Sequence, residues 1–142
     1  MRNSDYYLTA LSLKSTFLTP QMLVLLGKGL GLNRTMVRLD LSSNALTDKS
    51  AAFVTRSLAE NFTLSELDVR RNFLGDGFAQ QLRTVLRSNN VIHTIDIGDN
   101  PITKDGGRIV LKTLLEENET LCSLGNLDEN MLMGVRVREE IR

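Results

Sequence analysis

Apolar residues recur along this chain with one fixed period. Leu8, Leu11, Leu13 and Leu18 are followed by Met36, Leu39, Leu41 and Leu46. Leu64, Leu67, Val69 and Leu74 come next, then Ile92, Ile95, Ile97 and Ile102. The sets begin at 8, 36, 64 and 92, a constant spacing of 28 residues, and a fifth begins at Leu121, 29 residues further on. One polar place recurs with them: Thr16, then Asn44, Asn72 and Asn100. The pattern is L-x-x-L-x-L-x-x-N-x-L, with other aliphatic residues or Met standing for Leu. Self-similarity at such a period marks a protein built from stacked units.

The spacing inside each unit predicts its local structure. In L-x-L the side chains alternate between two faces, as in a short strand. One unit cannot bury its apolar face alone, so neighbours stack and their strands form a parallel sheet. The asparagine then enters a turn, where its amide both donates and accepts hydrogen bonds. Asn44, Asn72 and Asn100 are expected to stack as an inner column. The second half of each unit is helical in period: Leu23, Leu26 and Leu30, then Ala51, Val54 and Leu58, then Ala79, Leu82 and Leu86 lie at i, i+3 and i+7. In the fourth unit Leu111 and Leu115 continue the pattern if one residue is inserted near Lys104, which would also explain the 29-residue spacing. A full helix is wider than a strand, so the stack must curve, with the sheet concave and the helices convex.

These residues resemble the ribonuclease-inhibitor class of leucine-rich repeats, over about residues 8 to 125. The resemblance implies an α/β fold, a right-handed solenoid, with one domain over residues 1–142. The segment LLEENETLCSLG at 114–125 is similar to the last repeat of the tropomodulin family. Axonemal proteins share the same repeat type. What the resemblance implies for function is protein binding.

The ends depart from the pattern. After Leu121 and Leu124 comes Asn126 where an inward aliphatic is expected, and Leu127, Asn130 and Leu132 restore the motif one residue late. Residues 126–142 are expected to form a cap, with Met131, Val135 and Val137 against the last coil. At the other end only Tyr6 and Tyr7 are placed to shield the first coil. An exposed edge strand invites pairing with another chain, so end-to-end contact through the first or last repeat is one expectation.

Composition narrows the function classes. Lys and Arg number 17, against 17 Asp and Glu, which removes the simplest basis for binding nucleic acid or an anionic membrane. No run of about 18 apolar residues occurs. The start, MRNSDYY, has no charged-then-apolar order of a secretory signal. Cys122 is the single cysteine. A cytoplasmic protein is expected, cytoskeletal or ciliary if the tropomodulin or axonemal likeness carries that far.

The outward strand positions form the candidate contact face: Thr9, Ala10, Ser12, Lys14 and Ser15; Val37, Arg38, Asp40, Ser42 and Ser43; Ser65, Glu66, Asp68, Arg70 and Arg71; His93, Thr94, Asp96, Gly98 and Asp99; then Cys122, Ser123 and Gly125. At about 4.8 Å between strands, five of them span about 20 Å. Asp40, Asp68 and Asp96 fall in one column. It reads either as a strip for a cationic partner or as a solvated feature compensated by Arg38, Arg70 and Arg71. Arg70, Arg71 and His93 are expected to make a contact patch, arginine being favoured in interfaces. Phe17, Phe73 and Pro101, with Ala45, share the place just after the turn residue. Two readings stand there: interface anchors, or side chains that pack on each other to close the loop.

The sequons at Asn33, Asn61 and Asn118 share one repeat position with Asn89, and an asparagine there suits the turn that leaves a helix. His93 is the only histidine, so Cys122 has no histidine and cysteine set for a metal. No phosphate-binding loop of the G-x-x-x-x-G-K-S/T type occurs. Gly106 and Gly107 are expected to relieve the insertion in their loop. No catalytic residue, cofactor or metal is expected. The functional expectation is a scaffold that binds a protein through the concave sheet and its lip. The alternative is a cytoskeletal, axonemal or actin-capping component contacting partners through its ends.

Overall fold

The computed structural model describes residues 7–125. Four short strands alternate with four helices. Strand β1 spans Ala10–Ser12, helix α1 Pro20–Leu32, β2 Arg38–Asp40, α2 Asp48–Ser57, β3 Glu66–Asp68, α3 Asp76–Leu86, β4 Thr94–Asp96 and α4 Lys104–Glu116. The strands form one parallel sheet in chain order. Register follows the repeat: Ala10 pairs with Arg38, Arg38 with Glu66 and Glu66 with Thr94. An isolated bridge between Thr94 and Ser123 brings in the fifth coil.

The core lies between sheet and helices. Leu39, Leu67 and Ile95 are buried in one column, Leu41, Val69 and Ile97 in the next, and Ala51, Val54, Leu58, Ala79, Leu82 and Leu86 face them from the helices. Each strand is short because the chain turns immediately. The carboxylate of Asp40 accepts the Ser42 N–H, that of Asp68 the Arg70 N–H, and that of Asp96 the Gly98 N–H. Such Asp-capped turns give the backbone a partner outside the ladder.

The expected asparagine column forms. Asn72 Nδ2 donates to the carbonyls of Leu41, Val69 and Arg70, and its Oδ1 accepts the Asn44 and Leu46 N–H groups. Asn44 and Asn100 repeat this scheme one coil away. Thr16 ends the column, since its hydroxyl turns back to the Leu13 carbonyl.

A second column stands where helices return to strands. Asn61 Nδ2 donates to the carbonyls of Leu30 and Asn33, while its Oδ1 accepts the Thr63 and Leu64 N–H groups. Asn89 and Asn118 do the same one and two coils on. The sequon asparagines at 61 and 118 are thus buried ladder residues.

Helix starts are tied to the preceding coil. Thr47 and Ser50 form a reciprocal cap on α2, and Thr19 and Thr103 cap α1 and α4. Gly75 has no side chain to cap α3. Instead Asp48 Oδ1 accepts the Gly75 N–H at 2.7 Å, and Asp76 takes both the N–H and the hydroxyl of Thr103.

Three expectations change. Leu115 is exposed, and Val110 and Leu114 face inward beside Leu111. Val110 and Leu114 keep the 28-residue offset from Leu82 and Leu86. The extra residue therefore lies at the end of α4, not near Lys104; there the Asn118 N–H reaches back to the Thr113 carbonyl. Gly106 has a different task. A Cβ there would collide with the Asp76 carboxylate and the Ile102 side chain. Finally, Leu8 is half exposed, unlike its repeat equivalents Met36, Leu64 and Ile92. The expected cap at 126–142 and Tyr6 lie outside the described residues.

Candidate protein-binding surface

The outward strand positions line a shallow trough of about 540 Å³ over Ala10, Ser12, Arg38, Asp40, Glu66 and Asp68. Opposite charges interlace on it. Arg38 pairs with Glu66 at 2.7 Å. Arg70 lies between two members of the acidic column, 2.8 Å from Asp68 and 3.2 Å from Asp96. Hydrogen bonding to Asp68 is the main reason its guanidinium holds its proton above the usual arginine range. Burial pushes the Asp96 carboxyl up, against the pull of the Gly98 N–H and Arg70. Of the three arginines, only Arg70 compensates the column. Arg38 is taken by Glu66, and Arg71 faces Asp99 at 3.5 Å in solvent. Among the described residues no group of three or more His, Cys, Asp or Glu side chains could hold a metal ion.

The expected patch of Arg70, Arg71 and His93 separates. In register His93 follows Ser65, at the entry to the strands, and its Nδ1 lies 3.3 Å from the Ser65 hydroxyl. Arg70 and Arg71 stand beyond the strand exits. The three-residue strand, about 10 Å, and the turn that follows it lie between these rows. Cys122 is exposed beside His93, but its thiol is directed to the Thr120 carbonyl.

The lip is the most apolar part of this side. Phe17 is 88% exposed and Phe73 65%, with exposed Ala45 between their coils and Pro101 beyond. Their coils are two apart, about 10 Å along the sheet. Neither ring is packed away to close its loop. Next to the lip runs a row of strained turns: Ser15, Ser43, Arg71 and Asp99 have φ of 54, 57, 55 and 54 degrees, and Phe17 and Ala45 have 55 and 56. Left-handed backbone is uncommon for side-chain-bearing residues. Here a ladder asparagine of the next coil holds the turn: Asn44 takes the Thr16 and Leu18 N–H groups, Asn72 those of Asn44 and Leu46, and Asn100 those of Asn72 and Leu74. The lip is therefore displayed from fixed backbone.

A Leucine Rich repeat family profile matches residues 32–53 and 88–108, the second and fourth strand turns. The chain is a leucine-rich repeat protein. Two solved structures share its fold. Against "Leiomodin-1 Actin-Binding Site 2 (ABS2)" the TM-score is 0.76 at 19% identity, covering 94% of this chain and 83% of that one. Against the tropomodulin C-terminal domain of Caenorhabditis elegans it is 0.73 at 18% identity, covering 97% and 90%. Comparison with curated proteins gives no match. In this leucine-rich repeat protein, no helix among the described residues is long and apolar enough to cross a membrane.

Two features of the repeat go beyond the sequence reading. The asparagines at 33, 61, 89 and 118 are expected to serve the turn that leaves each helix, and the structure adds that those at 61, 89 and 118 also bond the preceding coil. Asp48 and Asp76, also 28 apart, signalled the struts between helix starts.

Proposed function

We propose that this chain is a protein-binding scaffold, not an enzyme, that takes its partner on the concave sheet and the adjoining lip. The observation that carries this reading is the exposure of Phe17 and Phe73 at one repeat position, on turns fixed by buried asparagines. Burying one such ring contributes roughly 1.5–3 kcal/mol. Arg71 stands beside them in a solvent-exposed pair with Asp99. Exposed pairs contribute about 0–1 kcal/mol, so exchanging Asp99 for a partner carboxylate costs little. Arg70 is held by Asp68 and Asp96 and serves to keep the acidic column in place. The test is affinity capture with identification of bound proteins, using the parent chain, Arg71→Glu and Phe73→Ala. Loss of the same partner in both variants, with unchanged melting, is the expected result. Unchanged capture by both overturns the reading.

A second reading names the partner as actin or another cytoskeletal component, met through the ends of the solenoid. It rests on the shared fold with an actin-binding site of leiomodin-1 and with a tropomodulin domain. Co-sedimentation with actin filaments and a filament elongation assay decide it. No binding and unchanged elongation would remove actin from consideration.

A further inference from the structure

Four successive coils place Phe17, Ala45, Phe73 and Pro101 at one repeat position along the lip. The rows beside them are polar: Ser15, Ser43, Arg71 and Asp99 toward the strands, and Thr19, Thr47 and Thr103 among the helix caps. The lip is an apolar line one residue wide, and its relief is uneven. Phe17 and Phe73 form two ridges, and Ala45 between them ends at a single methyl. Ala45 is exposed although a described coil lies on either side of it. Phe73 likewise stays exposed between the coils of Ala45 and Pro101. The opening over Ala45 therefore belongs to the interior of the repeat array, not to either end.

The opening has the width of one side chain. Phe17 and Phe73 leave the backbone two coils apart, about 10 Å along the sheet. A ring seated midway, over the Ala45 methyl, lies about 5 Å from each, inside the range of about 4.5–7 Å that aromatic pairs favour. An aromatic guest gains edge or face contact with both phenyls in addition to the area it buries. The walls are set in advance. Phe17 and Ala45 hold φ of 55 and 56 degrees. Asn44 takes the Thr16 and Leu18 N–H groups, and Asn72 those of Asn44 and Leu46. Filling the opening therefore orders little backbone that was free before.

Charge beside the opening has one sign. In these three coils the turn residues 14–17, 42–45 and 70–73 include Lys14, Arg70 and Arg71 and no acid. Arg70 is held by Asp68 and Asp96. Lys14 is exposed, and Arg71 meets only Asp99 of the next coil, at 3.5 Å in solvent. On the helix side Lys49 is exposed, whereas the Asp48 carboxylate is turned to the Gly75 N–H. Acidic groups beside a guest ring therefore meet Lys14 and Arg71 toward the strands and Lys49 toward the helices. We propose that the Ala45 opening receives one aromatic side chain of a partner protein, flanked in the partner's sequence by acidic residues. This deepens the scaffold reading of the lip and rests on it.

A library of random short peptides displayed on phage, panned against the full 142-residue chain, tests it. Enriched peptides are expected to share one Trp, Tyr or Phe beside Asp or Glu. Ala45→Leu fills the opening and should weaken an enriched peptide's binding by about tenfold or more. Phe17→Ala and Phe73→Ala should each weaken it with unchanged melting, and decide the matter if Ala45→Leu lowers stability. Phe62→Ala, which removes an exposed ring elsewhere, should leave binding intact. Added salt should weaken binding, since the flanking charges are exposed. No enrichment, or enrichment of peptides without this composition, overturns the proposal. So does an enriched peptide indifferent to the Ala45, Phe17 and Phe73 variants. A captured protein lost by Arg71→Glu and Phe73→Ala but kept by Ala45→Leu and Phe17→Ala overturns the aromatic seat and leaves the scaffold reading standing. Capture unchanged by all four variants overturns both.

Discussion

Asn72 Oδ1 accepts the backbone N–H of Asn44 at 2.9 Å, one full coil away in sequence. It accepts the Leu46 N–H as well, while Nδ2 serves three carbonyls. Two buried N–H groups thus depend on this side chain alone, while the Leu41, Val69 and Arg70 carbonyls have second donors in Asn44, Asn100 and the Ser43 N–H. Each buried group left unpaired costs about 1–3 kcal/mol. Asn72→Ala is expected to lower unfolding free energy by at least about 2 kcal/mol, measured by urea denaturation. A loss below about 1 kcal/mol would show that the column is replaceable by water.

The second ladder makes a matched prediction. Asn61 is fully buried, so Asn61→Ala should destabilise by a similar amount. Asn33 is only partly buried, and its Nδ2 is engaged locally with Thr35. Asn33→Ala should therefore cost less than Asn61→Ala in the same denaturation experiment. Equal losses would contradict the ladder's role in joining coils.

Two glycines of α1 should respond with opposite signs. In a helix interior alanine exceeds glycine by about 1 kcal/mol. At Gly29 the added methyl meets open space, so Gly29→Ala should raise the stability of the chain by up to about that amount. At Gly27 the methyl would run into the Phe53 backbone carbonyl, which cannot rotate away as a side chain does. Gly27→Ala should lower the melting temperature, because α1 and α2 must move apart.

Asp96 should show an inverted pH response. Burial holds its folded-state pKa above the ordinary aspartate value. The folded protein therefore binds this proton more readily than the unfolded chain does. The destabilisation is complete above the raised folded pKa and vanishes as pH falls below the ordinary aspartate value. Asp96→Asn keeps an acceptor for the Gly98 N–H and removes the charge. Its melting temperature at pH 7 should equal or exceed the parent's, with the difference shrinking toward acid. A marked loss at pH 7 would mean that the ion pair with Arg70 outweighs desolvation.

The repeat was legible because every coil places the same side chains in the same register. Leu39, Leu67 and Ile95 could be aligned by offset alone, and the asparagine column followed from amide chemistry. What offsets could not show is how a residue divides its bonds between coils. Arg38 and Arg70 both stand beside acidic residues, yet one pairs along its strand row and the other across the aspartate column. His93 shared the concave side with Arg71 in sequence, but the strand length between them separates the two. Leu115 was misplaced because an insertion can sit at either end of a helix without changing the total spacing. The exposure of Phe17 and Phe73 was undecided by sequence, since sideways packing and display use the same residues.

The central claim is that the partner lies along the lip and concave turns. Hydrogen–deuterium exchange on the chain, free and bound to its captured partner, tests it most directly. Slowed exchange at residues 14–17, 42–45, 70–73 and 98–101, with the convex helices unchanged, is the predicted result. Protection confined to the helices, with these turns exchanging as in the free chain, would contradict it.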